Sequence, residues 1–322
     1  MKSLSDLSVE GRTVLVRVDF NVPLDEAGRI RDDTRLRASL PTLNELLGRK
    51  ARLVVCSHLG RPKGQAVPKL SLRGVAARLS ELLGKEVRFS EEVIGPAAES
   101  ARKSLRDGDI LLLENVRFHA AETANDDDFA GRLARGAAFY VNDAFGSCHR
   151  AHASVAAVVR HVGEAAAGRL LEKEVDYLSR AFRTPRKPYT AILGGAKVSD
   201  KIPVIENLLN KTDDILIGGA MAYTFFKARG LEVGKSLVEN DKLDTARSIL
   251  AMAEEKKVRL LLPEDHVLAE SPERAESSGT AEAFPLPDDL MAVDIGPRTV
   301  AAFSRVISRS QTVFWNGPLG VF

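Results

Sequence analysis

Residues 13–23 read Thr13-Val14-Leu15-Val16-Arg17-Val18-Asp19-Phe20-Asn21-Val22-Pro23, a largely β-branched apolar run that turns polar at Asp19. Such a run predicts a buried strand over 13–18, and the polar residues after it predict a turn at the strand's carboxyl end. The pattern recurs along the chain. A predicted strand over 52–56 leads into Ser57-His58-Leu59-Gly60-Arg61-Pro62, one over 110–113 into Glu114-Asn115-Val116-Arg117-Phe118, and one over 137–141 into Asn142-Asp143-Ala144-Phe145-Gly146. Runs over 189–193, 214–217, 258–262 and 312–315 repeat it, with segments of helical period over 35–49, 70–83, 170–182, 201–209 and 241–256. Strands alternating with helices in this way indicate an α/β chain built on doubly wound parallel sheets.

With 322 residues, 44% hydrophobic and 28% charged, the chain has enough apolar material for two cores and enough charge to keep their outsides solvated. Arg183-Thr184-Pro185-Arg186-Lys187-Pro188, between a charged helix and a new strand, marks the expected junction. The expected division is a first domain over 1–168, a joining helix over 169–183 and a second domain over 184–322. Net charge is +2, from 46 Lys+Arg against 44 Asp+Glu, which supplies no long-range field for nucleic acid or anionic lipid. The two cysteines, Cys56 and Cys148, lack a C-x-x-C arrangement, the start is polar, and no apolar run approaches the roughly 18 residues of a membrane span. A cytoplasmic protein is expected.

In open parallel sheets ligands bind beyond the carboxyl ends of the strands. There the first half places Arg35, His58, Arg61, Arg117 and Arg150 within reach of one rim, a set suited to clamp a small anion, since guanidinium groups grip phosphate or carboxylate with paired donors. Any one of these arginines is explained as simply by pairing with a nearby carboxylate; their number at strand ends favours a site. The second half has different chemistry: Gly194-Gly195-Ala196-Lys197-Val198-Ser199-Asp200-Lys201, then Gly218-Gly219, then Asn316-Gly317-Pro318-Leu319-Gly320. Paired glycines admit close backbone approach to a base or phosphate, and the lysines add positive charge, so these turns read as a nucleotide cradle. Gly230-Leu231-Glu232-Val233-Gly234-Lys235-Ser236 resembles a P-loop but is one residue short between its glycines. No zinc-ligand spacing occurs, Cys148 lacks a base partner, and His119, His161 and His266 read as surface or packing residues. Clamp and cradle together imply phosphoryl transfer between two substrates brought together by domain closure, and an acceptor already ionised needs no general base. A dinucleotide dehydrogenase would require G-x-G-x-x-G after a strand, which neither Gly-Gly turn supplies.

The motifs around Arg17–Pro23, Ser57–Pro62 and Glu114–Phe118, those over 142–154 and 194–201, and the terminal 315–322 segment resemble phosphoglycerate kinase in order and spacing. The resemblance implies reversible transfer of the acyl phosphate of 1,3-bisphosphoglycerate to Mg-ADP, giving 3-phosphoglycerate and ATP in glycolysis. It also implies two Rossmann-like domains joined by a helix. By match, Asp19, Asn21, Arg35, His58, Arg61, Arg117 and Arg150 are similar to the phosphoglycerate site, with Arg35 also near the phosphoryl group in transfer. Lys197 and Lys201 resemble the lysines at the nucleotide phosphates. Gly194, Gly195, Gly218, Gly219, Val293, Asn316, Pro318 and Val321 fall where the family meets the nucleoside and its phosphates, and Asp294-Ile295-Gly296-Pro297 matches a segment lining that pocket. The family's chain continues past Val321-Phe322 into a ribose-binding glutamate and a magnesium-binding aspartate. The expectation is therefore a C-terminally truncated member with an incomplete second domain, no nameable metal ligand and little activity by itself, Mg2+ arriving with ATP or ADP. A monomer that binds neither nucleic acid nor membrane is expected; the alternative is an anion-binding fragment without catalysis.

Overall fold

Along β1 (Thr13–Arg17) successive side chains leave opposite faces of the sheet, and both faces are apolar: Val14 and Val16 enter one core, Leu15 another. The same alternation runs through β2 (Arg52–Cys56), where Leu53 and Val55 join the first core while Val54 and Cys56 join the second. A strand buried on both faces needs helices on both faces, and the chain supplies them.

The computed structural model describes residues 2–277, 279–281 and 284–321, and the chain divides into two units, Met1–Asp176 and Tyr177–Phe322. The first continues with α1 (Thr34–Gly48), α2 (Arg73–Leu83), β3 (Arg88–Ser90), α3 (Pro96–Lys103), β4 (Ile110–Leu113), α4 (Ala120–Thr123), α5 (Asp127–Ala134), β5 (Phe139–Asn142) and β6 (Glu164–Ala167). Its six strands lie in the order β3-β4-β2-β1-β5-β6, every neighbouring pair parallel. Leu43 and Leu46 of α1 and Leu79 of α2 cover one face; Ala98 of α3 and Phe129 and Leu133 of α5 cover the other. The chain crosses from one side of β1 to the other between β4 and β5, so the carboxyl ends of β1, β2, β4 and β5 flank the switch point where ligands bind.

The division between units falls within α6 (Arg169–Arg183). After it come β7 (Tyr189–Leu193), α7 (Ile202–Leu208), β8 (Asp214–Ile217), α8 (Met221–Ala228), α9 (Leu243–Glu255), β9 (Arg259–Leu261), β10 (His266–Ala269), β11 (Gly279–Ala281), β12 (Met291–Ile295), α10 (Pro297–Arg309) and β13 (Thr312–Asn316). A parallel sheet β13-β7-β8-β9 has Ala191, Leu193, Ile215 and Ile217 on the face covered by α8 and α9, and Ile192 and Leu216 on the face covered by α10.

The parallel-sheet expectation is corrected in one place: β11, β10 and β12 form a separate antiparallel sheet. A register shift between Val267 and Leu268 breaks the alternation there. Two short edge strands also carry weak signals: β3 has three residues, and β6 is alanine-rich and holds its strand form by pairing with β5. Among the described residues no helix is long and apolar enough to cross a membrane.

The Pro263-Glu264-Asp265-His266 stretch has a structural role. The Asp265 carboxylate accepts from the Arg298 amide at 2.9 Å and from the amide and hydroxyl of Thr299 at 2.8 and 2.6 Å, which caps the first turn of α10. Beside it His266 is buried, with Nδ1 2.8 Å from the Tyr223 hydroxyl and the Phe226 and Phe284 rings 5.5 and 4.9 Å away. Burial pushes its imidazole down to about 4. The unfolded chain therefore takes up a proton at His266 that the folded chain resists. The stability this group contributes above about pH 6.5 is lost as the pH falls toward 4, by about 2 kcal/mol after allowance for screening. Denaturant titrations of the native chain and of His266→Phe at stepped pH should diverge across that window, with the variant less pH-sensitive; parallel curves would mean that His266 takes its proton without resistance.

Candidate active site

Gly60 joins two of the motifs. At φ +63°, with a Cβ there lying 2.8 Å from Leu70, the position requires glycine, and its peptide is read from both sides. Its amide donates to Asn21 Oδ1 at 2.7 Å and its carbonyl accepts from the Arg117 guanidinium at 2.9 Å. The Asn115 side chain holds the same loop, donating to the carbonyls of Leu59 and Leu70 at 2.7 and 3.0 Å and accepting from the Arg117 amide at 3.1 Å. Asp19, just past β1, accepts from Arg35 at 2.6 Å and from the Asn21 amide at 3.1 Å. Arg35, Asp19, Asn21, Gly60 and Arg117 are thus one connected set built from the ends of β1, β2 and β4 and the start of α1.

Arg61, Arg117 and Arg150 open onto one cavity of about 490 Å³, which Lys63 and His152 also line; no carboxylate lines it among the described residues. Burial lowers the Arg117 guanidinium first, and Arg17, Arg150 and Arg61 lower it further. The Arg117 Nε is buried without a partner. Positive charge gathered in a small concavity, with no carboxylate on its described wall, is suited to hold an anion. His58 is 5% exposed, and burial, then Arg17, Arg117 and Arg35, drive its imidazole down to about 2, so it is neutral. Lys63 and His152 were not among the expected site residues, although each stands two residues from one that was, Arg61 and Arg150.

Other members of the motifs serve structure. Asp143 Oδ1 accepts from the amides of Leu170 and Leu171 at 2.9 and 3.3 Å and so caps α6, with burial pushing its carboxyl up to about 6. Glu114 accepts from the Ser71 hydroxyl and the Leu72 amide at 2.6 and 2.8 Å. Cys148 is exposed, and its thiol is raised by partial desolvation, which disfavours the nucleophilic thiolate.

In the second unit three glycine-bearing turns interlock. The Gly194 amide donates to the Asn316 carbonyl at 3.0 Å, the Met221 amide to the Gly195 carbonyl at 3.0 Å, the Gly219 amide to the Leu319 carbonyl at 2.8 Å and the Val321 amide to the Val293 carbonyl at 2.8 Å. The Lys201 ammonium donates to Asn316 Oδ1. Glu239, not anticipated from the sequence, accepts from the hydroxyl and amide of Ser199 at 2.5 and 3.0 Å and fixes the loop between the two lysines. Lys197, Pro318 and Val321 are exposed, whereas the Val293 side chain is buried and only its carbonyl reaches the turn. The P-loop-like stretch is packed away: the Lys235 amide donates to Leu290 at 2.8 Å and Ser236 Oγ accepts from the Ala292 amide at 3.0 Å. Among the described residues no three His, Cys, Asp or Glu side chains gather to hold a metal.

These two sites stand in a chain whose residues 4–322 match the family model of phosphoglycerate kinase. The phosphoglycerate kinase of Koribacter versatilis (strain Ellin345) is 54% identical over 327 residues, covering 99% of this chain and 81% of its own length. That of Anaeromyxobacter dehalogenans (strain 2CP-1 / ATCC BAA-258) is 51% identical over 324 residues, covering all of this chain and 82% of its own. Among solved structures, phosphoglycerate kinase from Coxiella burnetii is 39% identical with a TM-score of 0.80, over 99% of this chain and 80% of that one. The enzyme from Pyrococcus horikoshii OT3 is 29% identical at the same TM-score of 0.80, over 100% and 82%. Matched from end to end at such identity, the chain belongs to the phosphoglycerate kinase family.

Proposed function

We propose that the first unit binds 3-phosphoglycerate and 1,3-bisphosphoglycerate through Asp19, Asn21, Arg35, His58, Arg61, Arg117 and Arg150. The second unit binds ADP and ATP through Gly194, Gly195, Lys197, Lys201, Gly218, Gly219, Val293, Asn316, Pro318 and Val321. One observation carries the first half: a cavity of about 490 Å³ with Arg61, Lys63, Arg117 and Arg150 on its wall and no carboxylate among the described residues. A phosphate monoester is the anion that such a set of paired donors fits. Membership in the family supports the rest and does not favour an anion-binding module without chemistry. In domain terms, 1–168 is the phosphoglycerate-binding domain, 169–183 the joining helix and 184–322 the nucleotide-binding domain, in a cytoplasmic monomer.

The reaction is phosphoryl transfer. A terminal oxygen of the ADP β-phosphate forms the new P–O bond as the bond from phosphorus to the C1 acyl oxygen breaks, and 3-phosphoglycerate leaves as a carboxylate. Both oxygens are anionic at neutral pH, so the step needs no general base, and the task of the side chains is positioning and charge stabilisation. Arg61, Arg117 and Arg150 hold the phosphate that does not react. Arg35, oriented by Asp19, and Lys197 and Lys201 stabilise charge on the group in transfer. Family enzymes use the nucleotide as its magnesium complex, which supplies charge neutralisation at the phosphates. The described residues do not form a protein ligand set for that ion.

Arg61→Ala and Arg150→Ala should each weaken 3-phosphoglycerate binding by about 1.5–3 kcal/mol, the scale of a hydrogen bond between charged groups. Both side chains are exposed, so the fold should be unaffected. Titration calorimetry on the whole chain checks this. Affinity unchanged in both variants would remove the clamp.

A further inference from the structure

At the carboxyl end of β1 the strand carries a charge where its neighbours are apolar. Arg17 is fully buried. Its Nε donates to the Ser154 hydroxyl at 2.8 Å, one terminal nitrogen donates to the Val18 carbonyl, and the other lies 3.1 Å from Nδ1 of His58. Ser154 passes the connection on: its hydroxyl donates to one oxygen of Glu122 at 2.7 Å and its amide to the other at 2.9 Å. Tyr140 holds the Ser154 carbonyl at 2.8 Å. Glu122 is also fully buried, with Nδ1 of His152, a wall residue of the anion cavity, 3.7 Å from it. A buried guanidinium and a buried carboxylate, joined through one hydroxyl, end on the imidazole of a substrate-site histidine.

We propose that Glu122, Ser154 and Arg17 form a buried positioning chain that presents His58 to the phosphoglycerate site as a neutral imidazole with its proton on Nε2. The inference rests on the assignment of His58 to that site. A guanidinium has five N–H groups and no acceptor, so the atom facing it across 3.1 Å must accept, and Nδ1 of His58 therefore carries a lone pair and no proton. The neutral ring then has its only N–H at Nε2. Ser154 continues the same order of donors, since its hydroxyl accepts from the Arg17 Nε and donates its own proton to Glu122. The donors thus run in one direction from Arg17, to Ser154 and Glu122 on one side and to His58 on the other. The cationic neighbours of His58, Arg17 with Arg117 and Arg35, act in the same sense by opposing a second proton on the ring. His58 consequently recognises an oxygen of the ligand as a hydrogen-bond donor whose strength does not vary with pH near neutrality. A structural filler in the same space would have no such preference.

Long-range proton–nitrogen correlation spectra of the chain labelled with 15N-histidine read the tautomer directly, with His58→Gln identifying the resonances. In the native protein, Nδ1 should resonate in the pyridine-type range and Nε2 in the pyrrole-type range between about pH 6 and 8. Arg17 variants strand a buried carboxylate, so the working variant is Ser154→Ala, which keeps both charges. There the two nitrogens should move toward averaged values, and affinity for 3-phosphoglycerate should fall about tenfold, the scale of one such hydrogen bond. His58→Gln, whose amide N–H takes the place of Nε2–H, should keep more affinity than His58→Asn. A proton on Nδ1 or an imidazolium in the native protein, or spectra unmoved by Ser154→Ala, would overturn the proposal. If the native chain showed the stated tautomer and bound no 3-phosphoglycerate, the ligand assignment would fall and the positioning chain would stand.

Discussion

Lys197→Ala should lower kcat by about 10²-fold or more while moving KM much less. The lysine is exposed and makes no ion pair among the described residues, so its removal leaves no buried partner behind, and thermal stability should be unchanged to within about 0.5 kcal/mol. Its backbone is fixed where its side chain is free. Glu239 holds Ser199 from one side, and Met221 holds the Gly195 carbonyl at 3.0 Å from the other. A cation on a flexible stem above a rigid loop has most effect where charge on the phosphoryl group is redistributed, because ground-state binding can draw on several other donors. Lys201 is the internal contrast. It donates to Asn316 Oδ1 at the end of β13, so Lys201→Ala loosens the interlocked turns and should raise the nucleotide Kd and lower Tm together. A coupled assay with 3-phosphoglycerate and Mg-ATP separates the two. A change confined to KM would make Lys197 a binding residue and remove it from the transition state.

The sequence made the strand ends legible because a run such as Thr13-Val14-Leu15-Val16 is buried on both faces, so the cluster of polar residues that begins at Asp19 marks where the chain leaves the sheet. Residues placed by that rule alone, Asp19, Asn21, Arg61 and Arg117, form a connected set or share a cavity. What stayed illegible depends on contacts between distant segments. Arg17 meets Ser154 across 137 positions and Ser154 meets Glu122 across 32, and no local period marks either pair. Asp265 caps α10 from more than thirty residues away, so the usual signal of a capping residue directly before the helix is absent. Glu239 likewise fixes the lysine loop from 40 residues downstream. Arg17 alone left a trace, as the one charge inside an otherwise apolar strand.

The glycines of the proposed nucleotide cradle look alike in sequence and differ in what surrounds them. A Cβ on Gly194 would lie 2.0 Å from the Pro318 carbonyl oxygen and 2.7 Å from its carbon, atoms of a backbone that the Gly194–Asn316 hydrogen bond already holds in place. A Cβ on Gly218 would meet Leu319, with its closest atom Cδ2 at 2.7 Å, where rotation of a side chain gives much of the relief. Gly194→Ala must therefore separate β7 from the turn after β13, and should destabilise the second unit by about 3 kcal/mol or more, the upper range of overpacking, with loss of ADP binding. Gly218→Ala should cost about 1 kcal/mol and retain ADP affinity within a few-fold. Thermal melts with and without ADP, followed by calorimetric titration of each folded variant, distinguish these outcomes. Equal losses in the two variants would mean that the cradle tolerates displacement of the 316–321 turn, and that the close approach of Gly194 to Pro318 does not set its shape.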